Sequence, residues 1–194
     1  VEEGPSALLV LARRTSADAS RIKRAAGAAS AKIGPVEAPE RKHNPFINSP
    51  AGGRALSALQ LPFFLLRPPA GYGVLTTRGR KTGKTRRKCV RMVRRGDKAY
   101  MVAIKGGTSW SKNALANPEV RLRLPGGAFS GRARELLGAA ESQEAKEAYC
   151  ESVYWFDYLT WINWRRGRPT AAKIRQLLRG WFENGTSLVV ELDL

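Results

Sequence analysis

The 194-residue sequence predicts a mainly β fold with attached helices (α+β), its short antiparallel strands closing into a small barrel or a sandwich. Three observations carry this. Glu119 to Leu124 alternates cleanly, with Val120, Leu122 and Leu124 on one face and Arg121 and Arg123 on the other. Tight-turn signals, Arg95-Gly96-Asp97 and Pro125-Gly126-Gly127, join apolar runs too short for helices. Helical spacing prevails only before Pro68–Pro69 and again after about residue 140.

In chain order, residues 5–33 are rich in Ala, Arg and Lys and read either as a basic amphipathic helix, ended by Gly27 and Gly34–Pro35, or as a frayed extension with helical tendency. Residues 35–50 read as linker. The expected division is therefore an extension over 1–43 and a single domain over 44–194. An apolar helix follows over 51–66 (Leu56, Leu59, Leu61, Phe64, Leu65), with Pro62 expected to kink or split it. Strands are predicted at 72–77, 88–94, 99–104, 119–124 and 129–136. A short helix starting near Trp110 is stopped by Pro118. Helices are expected at 141–162 and 169–182, the second with Pro169 near its start, before a closing strand at 187–192.

Composition narrows the chemistry. With 43% hydrophobic residues the chain can bury a core, so global disorder is excluded. No apolar run approaches the roughly 18 residues that span a bilayer, and Arg13 and Arg14 follow the Ala7–Ala12 run, the wrong order for a secretory signal. His43 is the only histidine, which excludes Ser-His-Asp, Cys-His and multi-histidine metal sites; no metal is expected. Cys89 and Cys150 are read as free thiols in a reducing, cytoplasmic setting.

The formal charge is +18, and residues 49–104 carry +12 of it. Ten basic residues lie between Arg78 and Arg95 with no acid among them. Such a field recruits an anion: nucleic acid, a membrane surface, or a phosphorylated or carboxylated small molecule. Within it, Thr76-Thr77-Arg78-Gly79-Arg80-Lys81-Thr82-Gly83-Lys84-Thr85-Arg86 has glycines for a tight loop, with Arg80, Lys81, Lys84 and Arg86 to supply charge and Thr82 a hydroxyl. Gly83-Lys84-Thr85 imitates the end of a Walker A loop. However, arginine occupies position 78 where that motif needs glycine, and a strand follows where it needs a helix. Either the stretch cradles an anion or it is a basic turn between strands. Lys105-Gly106-Gly107 ends a predicted strand ahead of Trp110 and Asn113, and paired glycines admit a flat or phosphorylated ligand close to the backbone.

These motifs, in this order, resemble the deazaflavin-dependent nitroreductase and quinone reductase family, a branch of the split β-barrel flavin-binding oxidoreductases. The carriers are TTRGRKTGKTR, the GDKAYMVA hairpin, KGG and W-x-x-N-x-x-ANP, over roughly residues 44–138. The resemblance implies a split β-barrel and hydride transfer from the reduced deazaflavin coenzyme F-420 to a quinone, nitroaromatic or enone, with FMN the less favoured cofactor. By the same resemblance Arg80, Lys81, Thr82 and Arg86 hold the coenzyme phosphate and acidic tail. Lys105, Gly106 and Gly107 line the deazaflavin and ribityl region, with Trp110 and Asn113 close by. A polyanionic coenzyme also suits the +12 segment, because arginine forks match phosphate and carboxylate.

A third feature is aromatic. Four of the five tryptophans lie between 155 and 181, and Tyr154, Tyr158 and Trp161 follow helical spacing. This face either packs a helix on the barrel or roofs an apolar acceptor, with the hydroxyl of Tyr158 or Tyr154 as catalytic proton donor. Competing readings are a non-catalytic barrel holding another flavin, a tetrapyrrole or a lipid, and a nucleic-acid-binding module. Against nucleic acid, the aromatic residues lie in the near-neutral C-terminal region instead of among the cations. The expected partner is a small apolar acceptor, in a monomer or homodimer. The basic N-terminal helix leaves open a peripheral membrane contact.

Overall fold

The computed structural model describes residues 50–104 and 108–193. The expected boundary near residue 44, the N-terminal extension and Lys105-Gly106-Gly107 lie outside the described residues. The elements are α1 (Pro50–Leu66), β1 (Tyr72–Arg78), β2 (Thr85–Arg91), β3 (Val93–Arg95), β4 (Lys98–Ala103), α2 (Ser109–Ala116), β5 (Glu119–Leu124), β6 (Gly127–Glu135), α3 (Gly138–Glu151), α4 (Trp155–Trp164), α5 (Ala171–Asn184) and β7 (Thr186–Leu192). The strands form one antiparallel sheet of seven in the order β2-β1-β5-β6-β7-β4-β3.

The two edges of that sheet, β2 and β3, are consecutive in the chain, with only Met92 between them. Two residues span about 7 Å at most, whereas the edges of a flat seven-stranded sheet would lie about 29 Å apart. The sheet must therefore curl until its edges approach, as in a split barrel. Met92 is the corner: its N–H donates to Gly71 O at 2.9 Å, and its side chain is buried inside.

Alternation builds the core on both sides of this sheet. On β4, Ala99, Met101 and Ala103 point into the barrel with Leu75, Met92, Leu122, Leu188 and Val190. Tyr100 and Val102 point outward, where they meet Tyr149 and Cys150 of α3, Trp161 of α4 and Ile174 and Leu178 of α5. A third cluster seats Phe64 of α1 against Tyr72 and Val74 on the outer side of β1. On β5 the inward residues are those the alternation predicts, Val120, Leu122 and Leu124.

Three local expectations change. β2 starts at Thr85, not Lys88, and the run breaks at Met92. α1 runs unbroken through Pro62. The single helix expected over 141–162 is two, because residues 152–154 are extended. A buried ion pair explains that break. Arg91 Nε donates to Asp157 Oδ1 at 2.9 Å, and its Nη1 donates to Tyr149 O at 2.8 Å. Its Nη2 reaches Ser152 O. The guanidinium thus takes up carbonyls at the end of α3 that a continuous helix would use. Asp157 accepts from Tyr154 N–H at 2.8 Å and from Tyr72 Oη at 2.7 Å, so it caps α4 and fastens it to β1. Burial first, then the adjacent carboxylate, holds the Tyr72 phenol well above its ordinary range, so it remains a donor. Tyr154 is thereby the N-cap of α4 and not a residue on its face. Its ring lies over Gly71, whose φ is +75°; a Cβ there would come within 2.1 Å of Tyr154 Cδ2.

Candidate cofactor site

The loop between β1 and β2 is a tight crossing pinned at both ends. Gly79 N–H donates to Lys84 O at 2.9 Å, and Gly83 N–H donates back to Gly79 O at 2.8 Å. Gly83 has φ +66°, a conformation in which glycine is favoured. Lys84 N–H donates to Thr82 Oγ1 at 3.4 Å, which leaves the Thr82 hydroxyl proton free to point outward. Arg80, Lys81, Thr82, Lys84 and Arg86 are all exposed. Among the described residues no carboxylate pairs with any of these cations, although ion pairs are frequent elsewhere on the surface.

Helix α2 fixes the loop from beside it. Asn113, buried, accepts from Arg80 N–H at 3.3 Å and from Arg80 Nη1 at 3.1 Å through the same Oδ1. One turn later Asn117 Nδ2 donates to Arg78 O at 3.2 Å. The spacing i, i+4 puts both amides on one helical face, against the two residues that flank Gly79. At the other end of α2, Ser111 Oγ donates to Thr108 O and accepts from Thr108 N–H, both at 2.9 Å. Trp110 packs half-buried against the barrel interior. Of the expected site residues, the structure thus brings together Arg80, Lys81, Thr82, Arg86 and Asn113, with Trp110 on the same helix as Asn113.

Tyr154 and Tyr158 are elsewhere. Both are half-buried against the outer cluster that contains Trp161, and Tyr154 sits 5.7 Å from the Arg91 guanidinium. Arg91 pairs with Tyr72, at the opposite end of β1 from Arg78. Six residues of strand separate the two ends, about 20 Å. The ion pair of Arg91 with Asp157, which the sequence reading missed, belongs to that far end.

The loop's chemistry is electrostatic. Its donors are fixed cations and backbone amides, which bind phosphate and carboxylate. The thiols add no nucleophile at neutral pH: burial pushes both Cys89 and Cys150 up to about 11. Among the described residues no group of three His, Cys, Asp or Glu is placed to hold a metal ion, and no helix is long and apolar enough to cross a membrane.

A family model described as F-420H(2)-dependent quinone reductase matches residues 67–164, half of the chain. Among solved structures, an F-420-H2-dependent reductase (FDR-A) is 26% identical, covering 62% of this chain and 94% of that one at a TM-score of 0.38. A protein described as a domain-swapped dimer is 25% identical, with coverage of 62% and 80% and a TM-score of 0.42. A heme-binding protein from Mycobacterium smegmatis is 12% identical, with coverage of 71% and 52% and a TM-score of 0.45. A comparison with curated proteins gives no match.

Proposed function

Because this chain belongs to the F-420H(2)-dependent quinone reductase family, we propose that the loop from Gly79 to Arg86 is the seat of the coenzyme's phosphate and acidic tail. The protein is an oxidoreductase whose cofactor is deazaflavin coenzyme F-420. When bound, the reduced coenzyme supplies the hydride that a quinone accepts. The rest is the work of the chain's own residues.

One observation carries the assignment: a row of exposed cations without acidic partners among the described residues, one of them held in place by a buried neutral amide. Arg80 and Arg86 present guanidinium forks that suit a phosphate or a carboxylate, Lys81 adds a point charge, and Thr82 a hydroxyl donor. Asn113 is a positioning residue in this reading. It fixes Arg80 through both backbone and side chain and does not itself meet the ligand. Lys105, Gly106, Gly107 and Trp110 are proposed for the ring side of the coenzyme on family resemblance. For protonating the reduced acceptor we propose Tyr158 first and Tyr154 second, water being the alternative. A quinone is the proposed acceptor, with nitroaromatics and enones as further candidates.

Equilibrium titration followed by coenzyme fluorescence, with F-420 and FMN side by side, tests the reading. F-420 should bind at micromolar concentration or tighter, FMN clearly more weakly, and shortening the glutamate tail should weaken F-420. Equal affinity for the two cofactors removes the proposed role of the loop. Saturable F-420 binding without reduction of menadione would make the protein a carrier and not a reductase.

A further inference from the structure

Two exposed apolar stripes remain that the coenzyme site does not use. On α1 they are Leu59, Phe63 and Leu66; on α4 they are Trp155, Leu159 and Ile162. Each set follows the spacing i, i+4, i+7, one face of a helix. Their surfaces are between 43% and 82% exposed, unusual for side chains that each gain about 1.5–3 kcal/mol by burial.

The stripes are joined through an aromatic bridge. Phe63 meets Phe64 edge-on at 5.9 Å between centroids, Phe64 meets Phe156 at 5.3 Å, and Phe156 meets Trp155 at 5.4 Å. The inner pair is the anchor. Phe64 is buried and Phe156 packs on it and on Tyr72, so the outer rings Phe63 and Trp155 stand on a rigid base. Trp155 is further fixed by its place in the first turn of α4, next to the cap that Asp157 provides.

Charge decides which partner fits. No Asp or Glu occurs between Pro50 and Gly96, and the one carboxylate between Ser152 and Thr170 is Asp157, buried in its pair with Arg91. Both stripes therefore rise from stretches without an exposed carboxylate. The exposed Arg67 directly follows α1, and the exposed Arg168 lies six residues beyond Ile162. Exposed Leu, Phe and Trp on helices whose sequence stretches carry arginine and no exposed acid fit a helix pair that lies in a bilayer interface, where Trp and Phe settle at headgroup depth and arginine meets anionic lipid.

We propose that the joined faces of α1 and α4 dock this protein on an anionic lipid bilayer. The docking rests on the surface of α1 and α4 alone, and stands whether or not the Gly79–Arg86 loop holds the coenzyme. It brings an enzyme with an apolar acceptor to the phase in which such acceptors dissolve.

The test is sedimentation of the full chain with vesicles of phosphatidylcholine containing phosphatidylglycerol, against vesicles of phosphatidylcholine alone. The first should bind the protein, in a salt-sensitive way, and the second about tenfold less or weaker still. The triple variant Leu59→Ser, Leu66→Ser, Leu159→Ser changes only exposed positions and should lose about tenfold or more of the binding, with F-420 titration unchanged. In the wild-type chain, brominated lipid should quench tryptophan emission, and Trp155→Phe should abolish most of that quenching. The proposal is overturned if neither vesicle binds, if both bind equally, or if the triple variant binds like the wild type. It is also overturned if the wild type self-associates without lipid and the triple variant does not, since the face would then be an interface between copies.

Discussion

Asn113 Oδ1 lies 3.1 Å from Arg80 Nη1 and 3.3 Å from the Arg80 backbone nitrogen. An acceptor with no net charge thus holds the arginine in place and leaves its +1 available to a ligand. Aspartate would offer the same two hydrogen bonds and cancel the charge.

That difference separates geometry from electrostatics. Asn113→Asp should weaken F-420 binding roughly tenfold or more and flatten its dependence on salt, because one cation is neutralised. Asn113→Ala should weaken binding by a similar factor but keep the salt dependence. In both, the loss should appear in KM for the coenzyme more than in kcat. Titrations at two ionic strengths read the contrast; identical salt slopes would mean Arg80 does not face the anion.

Lys81→Ala removes an exposed charge that has no partner among the described residues. Losing one charge-assisted hydrogen bond costs about 1.5–3 kcal/mol, so coenzyme affinity should fall roughly tenfold or more. The melting temperature of the free protein should stay where it is. A variant that unfolds would show the loop to be structural.

Tyr158→Phe keeps the ring that packs beside Trp161 and deletes only the hydroxyl. If that hydroxyl protonates the acceptor, menadione reduction should slow by about ten- to a thousandfold with coenzyme affinity unchanged. Tyr154→Phe is the matched control. Wild-type turnover in both single variants and in the double variant leaves water as the proton source.

Asp157→Ala strands a buried guanidinium and uncaps α4. Breaking one partner of a buried pair costs about 3–5 kcal/mol, and the transition by thermal denaturation should drop by about 10 °C or more. Tyr72→Phe, which removes one donor to the same carboxylate, should cost less, about 1.5–3 kcal/mol for one hydrogen bond to a charged group.

Glu141 gives a pH signature. Hydrogen bonds from Arg134 chiefly, with Leu137 N–H and Lys98 adding to them, hold its carboxyl down at about 2 against the ordinary 4.5. A depressed folded-state value contributes stability that is fully present above pH 4.5 and is lost as pH falls toward 2. Glu141→Gln should therefore be less stable than wild type at neutral pH, with the two denaturation midpoints converging below pH 4.5. A constant offset down to pH 2 would contradict the assignment.

How much of this was legible in the sequence depended on the face each residue shows. β5 is readable because Val120, Leu122 and Leu124 alternate with arginines. The start of β2 is not, since Thr85, Arg86 and Arg87 are all exposed on an edge strand and nothing marks an inward face before Val90. The loop cations were legible from charge clustering, but the role of Asn113 as their brace was not, because its partner is 33 residues away. The break between α3 and α4 had no local signal at all. It depends on Arg91, 66 residues before Asp157, whose burial no periodicity announces.

The place of β7 in the sheet has a consequence for biosynthesis. Of the seven described strands it is the last to be translated, yet it lies between β6 and β4, bonded to both. Until it leaves the ribosome, β2-β1-β5-β6 and β3-β4 are separate ribbons, each with a raw edge of unpaired amides and carbonyls facing the other. Sequence-distant pairing of this kind is slow and exposes aggregation-prone edges while it waits. The nascent chain thus cannot close its barrel as it emerges, strand by strand. It must be kept from associating with its neighbours until β7 slots home and completes both halves at once.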